Sequence, residues 1–172
     1  MRLTQVERQI LYNQNRILSI ICPEEKDSYE LNMTILLNGY TSDYEEVFEV
    51  YDDEVEESEC QFVYHVLTMY RSLCFSYQKL DNKSGITNDD VLFQGFDGND
   101  ETKYYSFASY LLKEKKRFEE FKNVDTNSHS RKVEIYKSML DVYNSISNEK
   151  NNHYSNSLTR DEIISIINAW RS

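Results

Sequence analysis

The sequence predicts an all-α, multihelical fold of about six to eight helices, one of them long and central. Three observations point there. The 172 residues include only four Gly and one Pro, too few for the turn-dense loops of an all-β chain. Three capping boxes, Thr4-Gln5-Val6-Glu7, Ser42-Asp43-Tyr44-Glu45 and Thr159-Arg160-Asp161-Glu162, place a carboxylate three residues after a hydroxyl. That arrangement satisfies two orphan N–H groups at a helix start. Apolar residues then recur at three- and four-residue intervals, the period of a helix face.

The elements follow in order. After Thr4, the residues Val6, Ile10, Leu11, Ile17, Leu18 and Ile21 keep helical spacing up to Pro23, because the residue before proline avoids the α region. A second helix spans about Glu24 to Asn38, burying Tyr29, Met33, Leu36 and Leu37, and Gly39 supplies its left-handed cap. Ser42 opens a short helix to about Tyr51, followed by a break at Asp52–Asp53. The longest helix runs from about Glu56 to Leu80, with Cys60, Val63, Leu67, Tyr70, Cys74 and Tyr77 as its stripe. Phe62, Val66 and Leu73 widen that stripe beyond one face, as a helix within a core requires.

A loop at 81–90 leads into Val91–Phe96, an extended strand or a buried loop by its length. Asp97 or Asn99 caps an aromatic helix reaching about Phe121, with Tyr104, Tyr105, Phe107, Tyr110, Leu111 and Phe118 along it. Residues 123–130 are polar and read as a mobile loop. Arg131–Ile146 is helical, and 147–157 is an Asn- and Ser-rich linker. The last helix carries Ile163, Ile164, Ile166, Ile167 and Trp170. The length suits a single domain over residues 1–172, divisible into lobes at 1–52 and 53–172.

Composition narrows the function. The net charge is −11, which repels phosphate backbones and anionic membrane surfaces. Ten acids and no base occupy residues 41–60. The opposite pole is Lys113, Lys115, Lys116, Arg117 and Lys122, diluted by Glu114, Glu119 and Glu120. Basic residues beside aromatics can hold single-stranded nucleic acid; a solvated face paired with the acidic segment is the plainer reading. Residue 1 opens into a polar helix pattern, without an apolar leader or a run of 18 apolar residues. The chain reads as soluble and cytoplasmic.

Searches for chemistry return little. Cys22, Cys60 and Cys74 are an odd number without CxxC spacing, so reduced, buried thiols are expected rather than disulfides or zinc. His65 lies in the long apolar helix, where a hydrogen-bonded core or interface histidine is expected. His129 and His153 fall in polar loops. Asp97-Gly98-Asn99-Asp100-Glu101 clusters oxygens around a glycine but fails EF-hand spacing; helix capping explains it. The acids from Asp52 to Glu57 read as a solvated face. Phosphate-cradling and nucleophile-elbow motifs are absent. No catalytic, cofactor-binding or metal-ligating residue is assigned.

Together the segments resemble the YfbU family of small bacterial proteins. The resemblance is carried by Glu7–Gln14 (ERQILYNQ), Gly39-Tyr40, Glu57–Leu73 (ESECQFVYHVLTMYRSL) and Phe93-Gln94-Gly95-Phe96-Asp97 followed by Glu101, Tyr104 and Tyr105. Tyr136–Leu140 (YKSML) and Leu158–Ala169 (LTRDEIISIINA) complete it, in order along nearly the whole chain. It implies an all-helical, soluble protein and carries no catalytic residue onto any position here. Residues 123–130 and 147–157 are more Asn- and Ser-rich than the family pattern, and Lys113–Arg117 is more basic.

The expected function is therefore that of a non-catalytic interaction or regulatory protein, working as a homo-oligomer or with another protein, without cofactor. Tyr supplies 14 of the 23 aromatic residues and is enriched at interfaces; Tyr70, Tyr77 and Tyr104 are the candidate interface residues. A helical enzyme or a nucleic-acid-associated regulator using Lys113, Lys115, Lys116 and Arg117 are the alternatives.

Overall fold

The structure, a computed structural model, describes residues 2–48, 54–149 and 157–171. Among these, six α-helices and several single turns of tighter or wider helix account for the regular structure. The chain forms two compact units, Met1–Asp53 and Glu54–Ser172.

The first unit is a helical hairpin. α1 (Gln5–Ile21) starts at Thr4, whose hydroxyl and Glu7 form the expected capping box. A 3-10 turn at Pro23–Glu25 carries the chain into α2 (Lys26–Asn38). The two helices meet on polar ground. Asn32 Nδ2 donates to Asn15 Oδ1 at 3.1 Å, and Arg8 Nη1 donates to the Leu36 carbonyl at 3.3 Å. Gly39, at φ 72°, is the left-handed cap of α2. A Cβ there would stand 2.5 Å from the tip of the Arg8 side chain, which can move aside, so it is the left-handed φ that calls for glycine. Of the apolar residues assigned to the α2 core, Leu36 is buried, Tyr29 and Met33 are half-buried, and Leu37 is 69% exposed.

The Ser42 capping box does not form. Ser42 Oγ bonds its neighbour Asp43 instead, and residues Thr41–Val47 make a 3-10 helix that buries Tyr44. The expected break at Asp52–Asp53 lies outside the described residues.

The second unit is built on α3 (Glu57–Lys79), the longest described helix at 23 residues. Its boundaries match the sequence reading within a residue. Nine of its side chains are buried, including two serines that stitch it to other segments: Ser72 Oγ to Tyr143 Oη at 2.9 Å, and Ser76 Oγ accepting from the Leu158 N–H. His65 is exposed, not a core histidine.

Val91–Phe96 is not a strand. A 3-10 turn covers Asp89–Val91, and Phe96 makes one isolated parallel bridge with Asn127. The aromatic helix is shorter than its apolar pattern. α4 (Thr102–Ser109) passes into a π-helical turn at Tyr110–Glu114 and stops. Lys116 and Phe118 take positive φ, 51° and 55°. These left-handed residues turn the chain back into a 3-10 turn at Glu119–Phe121, so that Phe118 and Phe121 enter the core beyond the end of the aromatic helix. Residues 123–130 are pinned, not loose. Thr126 is buried, its carbonyl accepts the Phe96 N–H, and Asn127 Oδ1 accepts the Gly98 and His129 N–H groups.

α5 (Val133–Glu149) and α6 (Arg160–Ile167) close the unit, α6 with the Thr159 capping box. The linker read at 147–157 begins inside α5, and residues 150–156 lie outside the described residues. The core centres on Phe93, whose ring meets Tyr70 at 5.8 Å, Phe96 at 5.6 Å, Tyr136 at 6.1 Å and Phe121 at 6.4 Å. Such tilted and edge-on pairs contribute about 0.5–1.5 kcal/mol each beyond area burial.

Gly95 marks the tightest point. It has φ 81°, and a Cβ would collide with the Thr126 backbone carbonyl. Gly85 has the same φ but meets only the tip of Arg160, at 3.5 Å. Gly95→Ala should therefore cost at least about 3 kcal/mol, and Gly85→Ala about 1 kcal/mol. Urea unfolding of the two variants checks this; equal losses would show that conformation alone, not the contact with Thr126, sets the requirement.

Candidate functional site

The Gly95-Phe96-Asp97 turn and the residues around it form a dense polar network. Asp97 Oδ1 accepts the N–H groups of Asn99 at 2.8 Å and Asp100 at 3.3 Å. Asp97 thus caps a turn, as the sequence suggests, while α4 itself starts later, at Thr102. The residue that joins the pieces is Glu101, only 8% exposed. Its Oε2 accepts the Asp97 N–H at 3.0 Å. Its Oε1 accepts the Lys132 and Val133 N–H groups, both at 2.8 Å. Those two donors are orphans of the α5 N-terminus, where the helix dipole also favours a carboxylate. Sequence reasoning placed Glu101 in a motif but not at a helix 31 residues away; nothing local signals it.

Beside this latch a cleft of about 480 Å³ opens, with Asp90, Gln94, Lys132 and Trp170 among its lining residues and Tyr70 and Tyr136 facing it from the core. Lys132 Nζ donates to Gln94 Oε1 at 3.0 Å, and Asp90 Oδ2 accepts from the Thr87 N–H and hydroxyl. Tyr136 Oη donates to the Gly95 carbonyl at 2.9 Å. Burial raises both phenols, Tyr70 and Tyr136, above the ordinary tyrosine range. A phenol held protonated can donate a hydrogen bond but cannot abstract a proton near neutral pH.

The other sequence-marked residues scatter. Tyr70 is 2% exposed and packs edge-on against Phe93 and Tyr136, so it belongs to the core of its own unit. Tyr77 is half-buried under the Lys83 ammonium, 4.8 Å from its ring centre. Tyr104 is half-buried, stacked on Phe96 at 5.6 Å. In the basic cluster, Lys113 Nζ donates to Thr126 Oγ1 at 3.2 Å, Lys115 lies over Tyr110 and Arg117 over Tyr64. Lys116 borders a shallow hollow with Lys122 and Glu119. Glu120 forms a two-point ion pair with Arg71, whose guanidinium also covers Phe118 at 4.3 Å. Lys113 lines the hollow beside Lys116 as well, while Lys115 and Arg117 lie against tyrosine rings. From the acidic segment, Glu59 pairs with Lys103 at 3.7 Å. All three cysteines are free. Cys74 is buried and Cys22 and Cys60 half-buried; burial, reinforced by nearby glutamates, pushes the Cys60 and Cys74 thiols up, which leaves them poor nucleophiles.

The first unit presents a different kind of surface. Val6, Ile10, Ile17, Ile20 and Ile21 of α1 are 54–75% exposed, as are Leu31, Leu37 and Tyr40 beyond it, at 51–69%. The apolar stripe that the sequence shows on α1 points away from α2.

A family model for the YfbU domain matches residues 1–169. The chain belongs to the YfbU family. A UPF0304 protein of Methanocaldococcus jannaschii is 37% identical over 174 residues, spanning 97% of this chain and 99% of its own. UPF0304 proteins of Mannheimia succiniciproducens and Histophilus somni are 29% and 28% identical, each over 98% of this chain and their full length. In this YfbU chain the Gly95-Phe96-Asp97 turn is a structural hub that carries Glu101 to α5. None of its described helices is long and apolar enough to cross a membrane.

Glu101→Gln replaces one acceptor oxygen with a donor, so one of the three N–H groups must face an amide nitrogen. The expected loss is about 2–3 kcal/mol, read by urea unfolding, while the exposed Glu119→Gln changes little. An unchanged midpoint for Glu101→Gln would remove the latch.

The raised phenols give a pH signature. A tyrosine whose folded pKa exceeds its unfolded value of about 10 stabilises fully below that pH, and the contribution is lost as pH rises further. The unfolding midpoint should fall above about pH 10, and less steeply in Tyr70→Phe. Identical slopes in the two proteins would contradict the burial of that hydroxyl.

Proposed function

We propose that this YfbU chain acts by binding rather than by chemistry, as a cytoplasmic interaction protein whose first partner is a second copy of itself. The observation that carries the reading is the concentration of exposed apolar side chains in the first unit. Nine of the eleven large hydrophobic residues exposed in the described chain lie between Val6 and Tyr40. A standard interface buries about 800 Å² per partner, a little over half of it apolar, and exposed side chains of this kind are what such an interface covers. A monomer that left them in water would carry an aggregation liability.

The polar cleft adds a place for a small ligand, lined by Asp90, Gln94, Lys132 and Trp170. The nucleic-acid reading is weaker, because Lys113, Lys115 and Arg117 are already engaged by Thr126 and two tyrosine rings.

Light scattering should give a mass near twice 20.5 kDa, with a dissociation constant that changes little with salt, since an apolar interface is not screened. Ile10→Asp with Ile17→Asp should return the monomer with unchanged helical circular dichroism. A monomer mass for the unaltered protein at high concentration overturns the proposal.

A further inference from the structure

The outward stripe of α1 has an internal order that its exposure alone does not require. Val6, Ile10, Asn13, Ile17 and Ile20 are spaced by four, three, four and three residues. That alternation is the seam of one helix packed along another. The four apolar members are 69%, 54%, 56% and 75% exposed, and Asn13 is exposed between them. The side of α1 turned to α2 is built from Asn15, Arg8 and their hydrogen bonds, so α2 does not use the seam.

The seam is also symmetric about its centre to within one residue. Asn13 is its midpoint, with Ile10 and Ile17 flanking at three and four residues and Val6 and Ile20 outside them at seven each. An isologous interface needs a patch that is complementary to itself under a two-fold rotation. A seam symmetric about its centre meets that condition when two copies run antiparallel.

We propose, building on the self-association reading above, that the second copy docks through α1 against α1, antiparallel, with the two-fold axis passing beside Asn13. Ile10 then lies against Ile17 of the second copy, and Val6 against Ile20 of the second copy. The two Asn13 amides meet on the axis. Asn13 Oδ1 already accepts from Gln9 Nε2 at 3.0 Å, which leaves its Nδ2 and a second lone pair for the opposite amide. A single polar residue in an apolar seam weakens the pairing but fixes its register, because any slipped arrangement buries the amide against isoleucine. Isoleucine on both sides of the axis supplies the apolar contact.

Cross-linking with a short bis-maleimide tests the geometry, in a Cys22→Ser background with mass and circular dichroism measured in parallel. Asn13→Cys should cross-link to itself. Val6→Cys alone should not, because two such residues would stand about 21 Å apart along the axis. Val6→Cys combined with Ile20→Cys should cross-link. Self-linking of Val6→Cys at the level of Asn13→Cys would show a parallel pair and overturn the arrangement. A dimer mass with no link at residue 13 would place the interface elsewhere and leave self-association standing. A monomer mass would defeat both.

Discussion

A buried carboxylate needs partners, and Glu101 finds three backbone N–H groups drawn from two segments far apart in sequence. Much of the second unit depends on that requirement. The Asp97 N–H fixes the turn that follows Phe96, and the Lys132 and Val133 N–H groups fix where α5 begins. With both ends held, Gly95 is brought against the Thr126 carbonyl, and Tyr136, one turn into α5, reaches the Gly95 carbonyl with its hydroxyl. The aromatic core then closes, because Phe93 and Phe96 on one side of the turn and Tyr136 on the other are placed within ring contact. Removing any of these contacts leaves a buried polar group unpaired, which costs more than the contact itself contributes.

The two units spend their apolar residues in opposite ways. The second turns Phe93, Phe96, Phe121, Tyr70 and Tyr136 inward and lets small serines of α3 accommodate its neighbours. The first joins its two helices with asparagine and arginine hydrogen bonds, buries Ile35, Leu36 and Tyr44, and leaves nine large apolar side chains exposed. The outward seam of α1 would gain from burial once another helix covered it, which is why the first unit, not the aromatic second, is the place proposed for a second copy.

The proposed binding role draws also on the groups that line the cleft. Its shifted groups are phenols pushed away from neutral titration by burial. Lys132 is tied to Gln94, and one Asp90 oxygen is tied to Thr87. Such a site offers directed hydrogen bonds with an indole nearby, the elements of recognition.

The sequence by itself determined what is local: the all-helical class, the Thr4 and Thr159 capping boxes, the stop before Pro23, the left-handed cap at Gly39 and the extent of α3. Each rests on residues within a few positions of one another, where backbone hydrogen bonding and steric limits decide. It also carried the family through the order of its motifs. It could not determine which side of an apolar stripe faces inward, because 3–4 periodicity marks a face without naming what covers it. Tyr70 thus stood as an interface residue and is core, while Ile10 and Ile17 stood as ordinary helix residues and are exposed. Nor could it end the aromatic helix at Glu114, since the gain from burying Phe118 and Phe121 outweighs the cost of left-handed Lys116 and Phe118 only when the core that receives them exists. Glu101 was the same case: a carboxylate's partners 31 residues away are chosen by the assembled chain, and only the tertiary structure brings the α5 N-terminus to it.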